Sequence, residues 1–353
     1  MIYKGALNFI FMKALVLEEY NKLVYKEVVK PVAADDEVIV EIKAVGICGS
    51  DVHGMDGSTG RRIPPIIMGH EASGVIVEMG RNVNGWDIGD RVTFDSTIYK
   101  LDDWYTRNGH YNLSDNRMVL GVSCKDFRRD GAFAQLVNVP NHILYHIPNN
   151  VSFEQAAMVE PVAVALHSIN LSGAKINDTT VVFGSGMIGL FIIQLLKQAG
   201  CKVIAVDVLP EKLDMAKMAG ASTILNPSVN DVTAEIRKFT NNRGADFAFE
   251  AVGITPTIMS AIDSLRKGAT LILVGNLSTT IEFPLQKVVT QEIIVKGSCA
   301  INGEYPAVLD LISKGKINVN SMISAVAPLS EGAVYFDRLY RKEPGLLKVI
   351  LKP

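Results

Sequence analysis

Residues 181–183 (Val-Val-Phe) run directly into Gly184-Ser-Gly186-Met-Ile-Gly189 and then into the apolar stretch 190–196. A strand that becomes a helix across three spaced glycines opens a βαβ unit, which commits this part of the chain to a parallel sheet. Gly184 permits the tight turn, Gly186 lets the backbone approach a pyrophosphate, and Gly189 lets helix and strand pack closely with the helix N-terminus facing negative charge. The next apolar run, 202–206, ends in Asp207, 18 residues after Gly189, where a carboxylate can accept hydrogen bonds from ribose hydroxyls. Val208, Leu209 and Pro210 follow, with no arginine to neutralise a 2′-phosphate, and the carboxylate would repel one. NAD is therefore expected rather than NADP. A glycine-rich turn with a capping aspartate is the plainer alternative, but it does not account for the full order of strand, turn, helix, strand and aspartate.

The surrounding sequence extends this sheet. Residues 203–206, 247–249, 271–274 and 293–295 are apolar without alternation and are separated by helical stretches such as 187–198. Strands of that kind are buried on both faces, so an α/β, doubly wound parallel sheet covered by helices is expected. Upstream the texture differs: Val38, Val40, Ile42 and Ala44 alternate with charged or outward positions, the period of a half-buried strand. Further β-rich runs at 74–77, 91–94, 132–139 and 143–147 point to a β-rich, barrel-like first domain. Ser152-Phe-Glu-Gln155 is a capping-box signature, so a helix is expected to start there and join the two parts. A chain of 353 residues can bury two such cores.

Composition removes other classes. With 35 Lys+Arg against 37 Asp+Glu the net charge is −2 and no basic block stands out, so neither nucleic acid nor an anionic membrane is an expected partner. Every apolar run is broken by a charge before the ~18 residues a bilayer span requires. Cys48, Cys124, Cys201 and Cys299 are scattered without close pairing, which fits a reducing, cytoplasmic setting rather than a disulfide framework. Residues 1–11 precede a second methionine at which a strand pattern begins. Their apolar part is short, Gly5 interrupts it and no small-residue cleavage site follows, so they read as an extension and not as a secretory signal.

The β-rich part carries Gly46-Ile-Cys48-Gly-Ser50-Asp51-Val-His53 and, 22 residues beyond Cys48, His70-Glu71. Cysteine, histidine and carboxylate form a borderline-soft donor set that suits Zn²⁺ with an open position, although Cys48 or His70 taken singly would more often be a core residue. With these motifs, and with G-D-R-V, R-R-D-G-A-F-A and V-E-P-V-A-V-A-L-H in matching order, the chain from Met12 onward resembles the zinc-dependent medium-chain dehydrogenase/reductase family.

The resemblance implies a GroES-like catalytic domain (12–160), a Rossmann NAD-binding domain (161–300), a C-terminal segment (301–353) whose strand-like end returns to the first domain, and an active site in the cleft. It implies Cys48, His70, Glu71 and Glu160 as metal partners, and Ser50 and His53 as the proton relay from alcohol to solvent. It extends the cofactor set of Gly184, Gly186, Gly189 and Asp207 to Met187, Ile188, Lys212, Val252 and Val274. Glu160-Pro161 resembles the sorbitol and polyol (or polyol-phosphate) branch, and homodimers or homotetramers are usual in the family.

Two departures matter. The family's frame for a second, structural zinc falls here on Lys100, Asp103, Thr106 and Ser114, none of which is a thiolate, so one zinc per chain is expected. Ala300 stands where sorbitol dehydrogenases carry a substrate-holding arginine, which argues against sorbitol itself. Arg61 and Arg62, on the loop before His70, are candidates to face an anionic substrate group. The expected reaction is hydride transfer between a secondary alcohol and NAD. A zinc-free quinone or enoyl reductase would not need Cys48, His70 and Glu160 together, and a non-catalytic NAD-binding redox sensor would not need the relay.

Overall fold

The computed structural model describes residues 11–353, so the expected N-terminal extension lies, except for Phe11, outside the described residues. The chain divides into two compact units. The first comprises the residues up to Glu160 together with Tyr305–Ser313 and the chain from Asn318 onward, and the second is Pro161–Glu304 with Lys314–Ile317.

In the first unit the strand Glu37–Gly46 lies at the centre of a seven-stranded sheet. The order across it is Leu144–His146, Arg91–Phe94, Glu71–Met79, Glu37–Gly46, Lys348–Lys352 and Ile323–Pro328, with Leu136–Pro140 also paired to Glu37–Gly46. A smaller antiparallel sheet holds Lys22–Val29, Phe11–Glu19 and Ile66–Ile67. Leu15, Leu17, Val40, Phe133, Phe336 and Leu351 belong to one core. The alternating residues of Glu37–Gly46 are buried as expected, but so are Ile39 and Val45, because the helix Phe153–Ala157 packs on this strand.

The run 132–139 is only partly a strand. Ala132 and Phe133 donate to Gly69 and Met68, while the Phe133 carbonyl accepts from Leu15, so this backbone serves several neighbours instead of one ladder. The capping box at Ser152 forms with both of its bonds. The helix then breaks at Met158 and restarts as Val159–Ser172, which sets Pro161 in a first turn where its missing N–H leaves no bond unmade.

The second unit is a six-stranded parallel sheet in the order Thr223–Leu225, Lys202–Val206, Thr179–Phe183, Ala245–Glu250, Leu265–Leu273 and Ile294–Gly297. The helix Met187–Gln198 has the span expected from the sequence and buries Leu190 to Leu196. The order reverses between Thr179–Phe183 and Ala245–Glu250, and the crevice at the carboxyl ends of such a pair is where open α/β sheets bind ligands.

Candidate metal centre and cofactor cradle

Strands Glu37–Gly46 and Glu71–Met79 run antiparallel with Gly46 opposite Glu71. The segments leaving this end of the sheet carry Cys48 and His70, and one donor atom from each of Cys48, His70 and Glu71 lies within 4.8 Å of the others. Cys48 caps the short helix Gly49–Gly54 and is half-buried, whereas His70 and Glu71 are buried. Glu160 opens the helix Val159–Ser172 and stands outside this trio, but the charges of His70 and Glu71 act on its carboxyl.

Glycine at 46 makes room for the carboxylate, since a Cβ there would stand 2.5 Å from Glu71 Oε2. The same oxygen accepts from Lys348 Nζ at 2.5 Å, and Lys348 also donates to the Ile47 carbonyl at 3.0 Å. Lys348 is only 3 % exposed and reaches this place because Lys348–Lys352 pairs against Val45 and Gly46. Reading the sequence missed Lys348; the available signal was a lysine opening the apolar run Val349-Ile350-Leu351.

Charge is concentrated here. Burial works against the ammonium of Lys348, but Glu71 and Cys48 outweigh it and raise its pKa. Burial likewise opposes a charged His70, yet Asp51 and Cys48 hold the imidazole well above its usual range. Asp51 would be raised by its complete burial, but His70 and Arg62 bring it down to about 2. The Glu160 carboxyl, by contrast, is pushed up to about 7, chiefly by burial, with His70 opposing the shift and Glu71 adding to it.

Asp51 receives Arg62 Nη2 at 2.7 Å and Nε at 3.1 Å and lies 3.5 Å from His70 Nδ1. Arg62 therefore does not face a substrate anion. It is buried as the counter-charge of Asp51, which would be costly to leave unpaired, whereas Arg61 is exposed. Ser50 Oγ donates to Cys48 Sγ at 3.3 Å, and His53, three residues on along the same helix, is exposed.

The donors fit zinc. Thiol, imidazole and carboxylate are its usual ligands, and one donor atom of each type converges here on buried or half-buried residues. Asp51 beside Nδ1 leaves Nε2 as the ring's other coordinating atom, the carboxylate–histidine arrangement common at zinc sites.

The four positions of the second-zinc frame are joined by hydrogen bonds. Asp103 accepts from the Thr106 amide at 2.8 Å and from Ser114 Oγ, and the Lys100 amide donates to Ser114 Oγ at 3.3 Å. Tyr99 and Tyr111 stack beside them at 4.3 Å.

In the second unit, Gly186 caps the helix Met187–Gln198, and Gly184 has φ 90°. A Cβ on Gly189 would collide with the Gly184 carbonyl, while the space beside Gly186 is open to 4 Å. Among the described residues Ser185 Oγ has no hydrogen-bond partner and is buried there, and Met187 and Ile188 are half-buried in the first turn. Asp207 accepts from the amides of Ser185 at 2.8 Å and Leu209 at 3.0 Å, tying the end of its strand to the glycine turn. Val252 packs on Gly184, and the Val274 amide donates to the Glu250 carbonyl at 2.8 Å. Lys212 is half-buried in the helix Pro210–Ala219. Glu250, not foreseen from the sequence, is fully buried and accepts from Val252, Gly253 and Thr257, fixing the loop that carries Val252. An acidic residue closing an apolar strand, as Asp207 does, was its signal. This open helix N-terminus, with a carboxylate at the end of the neighbouring strand, fits a dinucleotide.

Comparison with known proteins agrees with this geometry. Residues 34–149 match the alcohol dehydrogenase GroES-like domain and residues 188–314 the zinc-binding dehydrogenase domain. The chain is 30% identical to D-arabitol-phosphate dehydrogenase of Enterococcus avium over 339 residues, 94% of each chain. It is 34% identical to D-xylulose reductase of Morganella morganii over 333 residues, 93% of this chain and 97% of that one. The crystal structure of galactitol-1-phosphate dehydrogenase from Escherichia coli superposes with a TM-score of 0.89 at 28% identity, covering 97% of this chain and 100% of the other. A GroES-like unit bearing a Cys–His–Glu donor group, followed by a parallel-sheet unit with a dinucleotide turn, makes this chain a member of the zinc-dependent medium-chain dehydrogenase/reductase family, in its sorbitol dehydrogenase-like branch.

Proposed function

We propose that this chain transfers a hydride between NAD and a secondary alcohol carbon of a polyol or polyol phosphate. The observation that carries this reading is the convergence of Cys48, His70 and Glu71 within 4.8 Å. These three residues would hold a single zinc, with Glu160 as a direct or water-mediated partner. When bound, zinc supplies the Lewis acidity that makes an alcohol proton removable near neutrality, and NAD supplies the hydride acceptor. Ser50 Oγ, beside Cys48, would accept the alcohol proton as it releases its own hydroxyl proton toward His53, exposed one helical turn further on, whose ring would hand a proton to solvent. Asp51, held by Arg62, orients the His70 ring. Gly184 to Gly189 bind the pyrophosphate, and Asp207 accepts the adenosine ribose and repels a 2′-phosphate.

Two of the named relatives are dehydrogenases of polyol phosphates and the third reduces a ketose, D-xylulose, which supports a polyol-class substrate, and Ala300 in place of an arginine supports one other than sorbitol. The strand Ile294–Gly297 ends its sheet with Ile294 half exposed, near Leu285 and Val289 in sequence, which supports pairing with a second copy. All four cysteines are free, which supports a cytoplasmic setting. Among the described residues no helix is long and apolar enough to cross a membrane.

The test is metal analysis of purified protein with an NAD⁺ reduction screen over polyols, inositols and their phosphates. One zinc per chain and turnover of at least one polyol are expected. Turnover of none, or full turnover in metal-free protein, overturns the reading.

A further inference from the structure

A cavity of about 500 Å³ opens at the amino ends of the parallel strands, where Leu265–Leu273 begins, lined by Arg237, Asn242, Arg243, Arg266, Lys267 and Gln291. The glycine turn follows the carboxyl end of Thr179–Phe183, so in this all-parallel sheet the two features lie at opposite ends of the strands. Four cations gather here in a chain whose net charge is −2. One carboxylate, Asp246, serves two of them: it accepts Arg266 Nε at 2.7 Å and lies 3.4 Å from Arg243 Nη2.

Exposed arginines are ordinarily a solvated surface, and a cluster alone would mean little. Here the side chains are tethered along one edge and open along the other. Arg266 Nη1 donates to the Lys267 carbonyl at 2.8 Å, and Arg237 Nη1 donates to the Asn242 carbonyl at 3.1 Å. Among the described residues no acceptor pairs with Arg266 Nη2, Arg237 Nη2, Lys267 Nζ or Gln291 Nε2. Two guanidinium forks held by backbone carbonyls, with the exposed ammonium of Lys267 beside them, match the oxygens of a phosphate group.

We propose that this cavity binds a small phosphate-bearing anion at a site separate from the cofactor turn. The proposal is independent of the catalytic reading. Pyrophosphate is titrated calorimetrically into the full-length protein with NAD saturating, so that the glycine turn is occupied. The same titration is made on the doubly substituted Arg243→Ala, Lys267→Ala protein, which keeps the Arg266–Asp246 pair, and with chloride at matched ionic strength. The expected result is saturable binding of one pyrophosphate per chain, weakened at least tenfold in the variant, with NAD affinity unchanged and no comparable chloride effect. Displacement of pyrophosphate by NAD, equal binding by the variant, or an equal response to chloride overturns the proposal.

Discussion

At the scale of single residues, the site is a balance of charges that a reader of the sequence sees only in part. Cys48, His70 and Glu71 were legible because family motifs and donor chemistry mark them. Lys348 was not, since its partner Glu71 lies 277 residues away in the chain. Arg62 was misread for a related reason: only the fold shows that Asp51, 11 residues off, is completely buried and needs a cation. Lys348 gives Glu71 a counter-charge that zinc must share, and a buried ammonium also repels the metal, so it should weaken zinc binding. Lys348→Met is therefore expected to hold zinc more tightly in a chelator competition, with slower turnover, while the metal-free variant is destabilised by about 3–5 kcal/mol because Glu71 has lost its buried partner. A variant that loses zinc as well as stability would make Lys348 a fold-building residue only. Asp207→Ala is expected to erode the preference for NAD over NADP, read as the ratio of kcat/KM values. Because Asp207 also holds the Ser185 amide, NAD affinity should fall too. An unchanged ratio would place adenosine recognition elsewhere.

Elements were legible where their causes are local. The helix Met187–Gln198 and the capping box at Ser152 follow from residues within a few positions of each other. The run 132–139 was read too generously as strand, because its partners come from Leu15, Met68 and Gly69, which no local pattern reveals. The single helix expected from Ser152 is instead two, Phe153–Ala157 and Val159–Ser172, and the signal for the break at Met158 was Pro161 with its missing donor. The segment that would carry a second zinc is held by bonds converging on Asp103, with Ser114 joined both to it and to the Lys100 amide. If those bonds have taken over the role of a metal, Asp103→Ala should loosen the segment around residues 99–118. The expected outcome is faster proteolytic cleavage there, insensitive to chelator, with zinc content unchanged at one per chain. Loss of zinc from the variant, or protection that depends on added zinc, would show that this segment binds metal after all.

For the whole molecule, the two units differ in how they are threaded. The parallel-sheet unit is almost one continuous piece of chain with its own core of Val181, Phe183, Ile204, Ala248 and Leu271. The first unit closes only when the last strand arrives, because Lys348–Lys352 sits between Glu37–Gly46 and Ile323–Pro328 and pairs with both. Val349, Ile350 and Leu351 are fully buried there. Each such side chain is worth about 1.5–3 kcal/mol of burial, so losing all three approaches the roughly 5–15 kcal/mol by which a whole domain is stable. The same deletion strips Glu71 of its buried ammonium. Removing residues 348–353 is therefore expected to unfold the first unit and abolish stoichiometric zinc binding, while NAD binding by the second unit, followed by nicotinamide or adenine fluorescence, survives within about threefold. Metal analysis and NAD titration on the same truncated preparation separate the outcomes. A truncated chain that keeps one zinc would mean that the metal donors are held by Glu37–Gly46 and Glu71–Met79 alone, and that the C-terminal strand merely covers a site already built.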